Sequence, residues 1–129
     1  MSLLRSIAVV ILGYIVFAVS AAMFFQGLGV NPHAPQSAAF VAGTAAFGMA
    51  FAFLGGLIAA RLAPGRRPLH AGLVAVLIAA GAVGSLLASP PTDGTWSQWM
   101  AVLLMAPSAA LAGLVGRRQA SPVSTRVDV

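Results

Sequence analysis

The sequence predicts an all-α membrane protein, a bundle of four transmembrane helices, on three observations. Of 129 residues, 60% are hydrophobic and only 7% are charged, whereas soluble domains carry about 25% charged residues. The apolar residues gather into four stretches, each near the roughly 20 residues that a helix needs to cross about 30 Å of hydrocarbon. The seven basic residues, all arginine, fall only before the first stretch, between the second and third, and after the fourth. A water-soluble fold of this size could not cover its surface, and with a mean hydropathy of +0.97 no soluble domain is left over.

The first span is expected over residues 7–25, after Arg5. A signal peptide would show the same basic start, apolar run and small residues such as Ala18, Ser20 and Ala21. The run continues through Ala22-Met23-Phe24-Phe25, past the roughly 7–15 apolar residues of a cleaved segment, so a retained span is expected. Gly27, Gly29, Asn31-Pro32 and Pro35 then supply turn chemistry. Ser37 is placed to cap a second span over 37–62, and Pro64-Gly65-Arg66-Arg67-Pro68 breaks the chain sharply. The third span covers 69–88 and ends at the turn Ser89-Pro90-Pro91-Thr92-Asp93-Gly94. Thr95 and Gln98 stand at the spacing of a capping box, which starts the fourth span, 97–116. One transmembrane domain, 1–118, is thus followed by a polar segment, 119–129, with too little apolar area to offset ordering, expected as a disordered cytoplasmic tail.

The arginines orient the spans. Arg5, Arg61, Arg66, Arg67, Arg117, Arg118 and Arg126 all lie on one side of a four-span chain, and the other two connections hold no lysine or arginine. By the positive-inside bias, the amino terminus, the middle loop and the tail face the cytoplasm. Phe24, Phe25, Trp96 and Trp99 mark the opposite interface, where tryptophan prefers the headgroup level. Arginine in place of lysine throughout fits a GC-rich bacterial genome and hence a bacterial inner membrane.

Lipid offers no hydrophobic gain for pairing helices, so close backbone approach at small residues must supply the association. Gly48, Ala52, Gly56 and Ala60 recur every fourth position on span two, Ala80 and Gly84 on span three, and Ala109 and Gly113 on span four. These eight are the expected helix-packing interface, within the bundle or toward a partner. Residues 52–61 also align with 109–118, so the two hairpins can be related as a parallel repeat. On the cytoplasmic side Arg61, Arg66, Arg67, Arg117 and Arg118, with His70 nearby, form a lipid-facing basic rim. Each arginine near anionic headgroups is worth about 1 kcal/mol. The pI near 11.9 is therefore topological, and no nucleic-acid partner is expected.

The sequence carries no motif for a reaction. It has no cysteine, which removes disulfides, thiolate metal sites and thiol nucleophiles. Its only acids, Asp93 and Asp128, lie outside the spans, although ion-coupled transport usually needs a titratable group at membrane depth. Small multidrug transporters are also four-span chains of similar length, but the likeness stops at span one, which offers Tyr14 and Ser20 and no glutamate. Tyr14, Ser20, Thr44, Ser85 and Ser108 are the polar groups expected inside the bilayer, either bonding helix to helix or lining a pore. Pro107 should kink span four. His33 and Asp93, in the two outer loops, could meet as a pair.

With the helix ending Gly56-Leu57-Ile58-Ala59-Ala60-Arg61 and arginine-only inner loops, the chain resembles small four-span membrane proteins of bacteria, a resemblance that brings no activity with it. The function expected is a non-enzymatic structural or accessory membrane component. The alternative is an oligomeric, uncoupled channel or transporter for small solutes. No catalytic, metal or cofactor-binding residue is expected. The expected partners are the lipid bilayer with its anionic headgroups, and a second copy or a larger membrane complex.

Overall fold

The computed structural model describes residues 2–88 and 94–119. Among them all regular structure is helical, with no strand: α1 (Ser2–Leu28), α2 (Ala38–Leu62), α3 (Arg67–Ala88), a short α4 (Trp96–Met100), a π-helical turn (Ala101–Met105) and α5 (Ala106–Gln119). The last three follow one another without a break. Four helices are therefore long and apolar enough to cross a membrane, as expected of a multi-pass membrane protein. The expected tail beyond Gln119, most of the Ser89–Gly94 turn and Asp93 lie outside the described residues.

The helix ends follow local chemistry. α1 outruns its expected span at both ends, because nothing in Leu3-Leu4-Arg5-Ser6 breaks a helix and Gly27 is absorbed into it. It stops at Gly29, whose φ of 65° is the left-handed conformation glycine adopts freely. There the Gly29 N–H bonds Gln26 O at 3.2 Å and the Val30 N–H bonds Phe25 O at 2.9 Å, the Schellman pattern. Ser37 caps α2, its Oγ accepting from the Phe40 N–H at 3.1 Å. α3 starts two residues early, since Pro68 in a first turn forfeits no helical hydrogen bond. The expected Thr95–Gln98 capping box does not form: α4 starts at Trp96, but Thr95 makes no side-chain cap and the Gln98 amide is engaged elsewhere.

α2 and α3 are central. Each packs on the other and on both α1 and α5, whereas α1 and α5 do not approach each other. Two hairpins related as a parallel repeat would bring the fourth helix to the first as the second comes to the third, and that pairing is missing. The similar stretches 52–61 and 109–118 instead touch, Gly56 directly against the Ala109 backbone.

Backbone contact governs the half of the molecule that carries Arg61, Arg66 and Arg67, here the arginine end. A Cβ on Gly13 would stand 2.5 Å from the Gly55 carbonyl oxygen, and one on Gly113 would stand 2.7 Å from Pro68 Cα. Neither separation leaves room for an atom, so only glycine permits these crossings of α1 with α2 and of α5 with α3. Such proximity supplies dispersion and Cα–H···O contacts in place of the absent hydrophobic gain. Around the crossings Ala52, Ala59, Ala60, Ala71, Val74, Ala109 and Ala112 are wholly buried. Large apolar residues point the other way: Leu3, Met23, Val76, Leu87, Leu103 and Leu111 are exposed. Small residues inside and large ones outside reverse the soluble pattern and suit a hydrocarbon surround.

α3 departs from the expected packing. Ala80 and Gly84 are exposed, with nothing within 4 Å of a Cβ on Gly84, so this stripe takes no part in internal packing. α3 turns in His70, Ala71, Val74, Ile78 and Ala82 instead. His70 is also not part of a lipid-facing rim, for it is only 4% exposed. Its Nδ1–H donates to the Arg66 carbonyl at 2.9 Å, and its Nε2 accepts from the Ser6 hydroxyl at 2.9 Å. This joins the start of α1 to the start of α3. Arg66 turns the chain there with a φ of 42°, rare for a residue with a Cβ.

Candidate functional site

Toward the other end of the helices, here the tryptophan end, the inward-facing side chains change from small to aromatic. Phe17 and Phe24 come from α1 and Phe47 from α2. Phe24 meets Phe47 with ring centroids 4.5 Å apart and meets Phe25 edge-on at 5.4 Å. Trp96 of α4 stands edge-on to both Phe25 and Phe40, and its indole N–H donates to the Ala34 carbonyl at 2.9 Å. Rings of this size hold the helices apart where glycine and alanine had drawn them together. They leave a chamber of about 250 Å³ between all four helices.

Tyr14, Ile78 and Met105 form the wall nearest the arginine end, and Met105 fills the space that a Cβ on Gly48 would need. Beyond them lie the buried Val10, Ala52, Ala59 and Val74. The chamber is therefore blind toward the arginine end.

Its other end is polar. Gln98 is only 4% exposed, although it lies in the first turn of its helix. Its Nε2 donates to Ser85 Oγ at 3.1 Å and lies 3.3 Å from His33 Nδ1. The Ser97 hydroxyl reaches its Oε1 at 3.4 Å. His33 Nδ1 is also 3.3 Å from the Gly94 carbonyl oxygen. It accepts from Gln98 when unprotonated and donates to Gly94 when protonated, and so satisfies one partner at a time. The Gly94 N–H donates to the His33 carbonyl at 2.8 Å, which ties the two loops of this end together. A Cβ on Gly94 would lie 2.6 Å from that carbonyl oxygen, so the closure depends on glycine.

Thr44 lines the chamber on α2 with a side chain 3% exposed, and its Oγ1 is buried without a hydrogen-bond partner. A helical threonine usually bonds back to the preceding turn, and an unpaired buried hydroxyl costs about 1–3 kcal/mol. The site therefore holds an unspent hydrogen-bonding group, the Thr44 hydroxyl, in its wall.

The π turn borders the same space through Ala101 and Met105. Its cause is Pro107, which has no N–H and whose ring would crowd the carbonyl four residues back. The turn is wider there, with the Ala106 N–H bonded to Ala101 O five residues back. Pro107 itself is exposed. π turns of this kind gather at functional sites.

Of the polar residues singled out in the sequence, Tyr14, Ser20, Thr44 and Ser85 line the chamber together. Ser20 also bonds its own helix at Phe17 O, 2.7 Å away. Ser108 is not brought to them; it donates to Leu104 O at 2.8 Å within its helix. Of the expected packing residues, Gly48, Ala52, Gly56, Ala60, Ala109 and Gly113 are buried inside the chain, while Ala80 and Gly84 are not. Arg61 and Arg66 are exposed and Arg67 is half-buried. The fourth helix carries Arg117 and Arg118 to the same end. His33 meets Gly94 and Gln98, and its expected partner Asp93 lies outside the described residues. Gln98, which stands at capping-box spacing from Thr95, belongs to the site instead. The available signal was its place on one helical face with Ala101 and Met105, three and seven positions on.

No family model, curated protein or solved structure matches this chain.

Proposed function

We propose that this chain is a non-enzymatic, multi-pass protein of the bacterial inner membrane, with both ends in the cytoplasm, that binds a small uncharged molecule in its chamber. The observation that carries the proposal is the chamber itself. It is a largely apolar, aromatic-walled hollow with a few convergent polar groups, the usual composition of a small-molecule site. The arginine end, packed backbone to backbone, favours a binding pocket over a conduit through a single chain. Among the described residues the wall has imidazole, amide and hydroxyl groups but no carboxylate, arginine or lysine, which favours binding over acid–base or coupled-ion chemistry. The arginine-only loops support this orientation, in which the chamber lies in the outer half of the bilayer.

The test uses p-cresol, a neutral ring with one hydroxyl, on the detergent-purified chain. At ten times its Kd it should raise the melting temperature by about 4 °C, and Ala82→Phe, which fills the chamber, should remove that rise. An equal rise in both forms would place the binding elsewhere. Orientation is read separately with single cysteines, since the chain has none of its own. Pro35→Cys should react with an impermeant maleimide in intact cells, and Gly65→Cys only after permeabilisation.

A further inference from the structure

A second hollow, of about 480 Å³, adjoins the chamber on the outer side of α1 and α2. It is walled by Met23, Gly27, Leu28 and Phe51 and shares Ser20, Phe24 and Phe47 with the chamber. Met23 is 68% and Leu28 is 57% exposed, and nothing lies within 4 Å of a Cβ on Gly27. This groove therefore opens toward whatever surrounds the helices, with Ser20, Phe24 and Phe47 as a sill between the two spaces. In a bilayer its surroundings are acyl chains.

We propose that chamber and groove form one site for a neutral, single-tailed lipid with a flat ring head, the class that prenylated quinones and quinols exemplify. The ring lies in the chamber and the tail leaves over the sill between α1 and α2. The proposal rests on the chamber being a binding site. Four features select this class. Among the described residues the chamber wall has no arginine, lysine or carboxylate, and an ion moved into it would lose several kcal/mol of solvation, which disfavours phosphate and carboxylate heads. A cavity of about 150 Å³ holds benzene, so about 250 Å³ holds a substituted ring system of one or two rings. The walls are themselves rings, Tyr14, Phe24, Phe25 and Phe47, which pair with a flat aromatic or quinonoid face. Ring oxygens then meet a hydrogen-bonding group in Thr44, whose buried hydroxyl has no partner, and the imidazole of His33 stands at the polar end. The tail exchanges contact with acyl chains for contact with the groove wall, and one groove accommodates one tail.

The experiment is native mass spectrometry of the delipidated full chain, titrated with a benzoquinone bearing a ten-carbon tail, with the same ring lacking the tail, and with decanol. The tailed quinone should bind about tenfold more tightly than the bare ring, the excess being contact of the tail with the groove wall over its contact with detergent. Gly27→Phe, which fills the groove where the backbone leaves room, should bring the tailed compound down to the bare ring's affinity and leave the bare ring unchanged. Thr44→Val should weaken both quinones about fivefold, the worth of one hydrogen bond, and leave decanol unchanged. Equal binding of tailed and bare rings, insensitive to Gly27→Phe, would remove the groove and overturn the proposal while the chamber stands. Binding of decanol in preference to either quinone would overturn the ring head. Failure of every probe, together with no p-cresol stabilisation, would instead remove the chamber as a site.

Discussion

The same two helices meet in opposite ways at their two ends. At Gly13 and Gly55, α1 and α2 touch backbone to backbone; farther along, Phe24 and Phe47 stand between them and a hollow opens behind. Hydrophobicity cannot account for the difference, because both halves are apolar and lipid does not distinguish them. Side-chain size does. Where Cβ is absent or is a lone methyl, the helices close and seal. Where rings enter, they hold the backbones farther apart, and the space left between the helices is edged with polar groups. The contrast teaches that in this chain tightness and openness are both built from the choice of side chain at inward positions, one half serving as a clamp and the other as a container.

The clamp is broken most severely at its crossings. Gly55→Leu forces a side chain onto the Gly13 backbone, which has nowhere to move, and should lower unfolding stability in mixed micelles by about 3 kcal/mol or more. Gly56→Leu should act similarly through Ala109, so its effect is on the fold of one chain and not only on any assembly. At the container's polar end, Gln98→Leu removes the amide that joins Ser85 to His33 and should cost about 1–2 kcal/mol by the same measurement. Thr44→Val is expected to act in the opposite direction. It deletes a buried hydroxyl without a partner while keeping the shape, and should stabilise the ligand-free chain by about 1 kcal/mol. Gly84→Leu sharpens the contrast from outside: the position is a member of a small-residue stripe but exposed, so its cost should stay within about 0.5 kcal/mol. A large cost there would show that the outer face of α3 is covered by a neighbouring molecule.

Much of the fold could be read from the residues because its signals are local. Apolar length marked the four helices, Ser37 marked a cap, and Pro64 to Pro68 marked a break. The packing was legible only in part. On α3 the buried row at fourfold spacing is His70, Val74, Ile78 and Ala82, mostly not small, so a pattern of small residues points to Ala80 and Gly84 instead. Gly13 gave no signal at all, since its neighbours one turn away, Val9 and Phe17, are not small. Its importance lies in what Gly55 does opposite, and that is a property of two helices together. The chamber was illegible for the same reason. Tyr14, Ser20, Thr44 and Ser85 were visible as polar residues in apolar spans, yet a hollow exists only once four helices and a loop are assembled. Gln98 fitted a local motif whose bonds are outcompeted by tertiary ones.

The division into clamp and container is tested most directly by adding the same bulk to each half. Ala59 is fully buried beside the crossing of α1 and α2, and Ala82 lines the chamber. Unfolding free energies in mixed micelles should show Ala59→Phe losing about 3 kcal/mol or more, while Ala82→Phe stays within about 1 kcal/mol of the native chain because its ring enters existing space. Equal losses for the two would mean that the tryptophan half is packed as solidly as the arginine half, and would contradict the account.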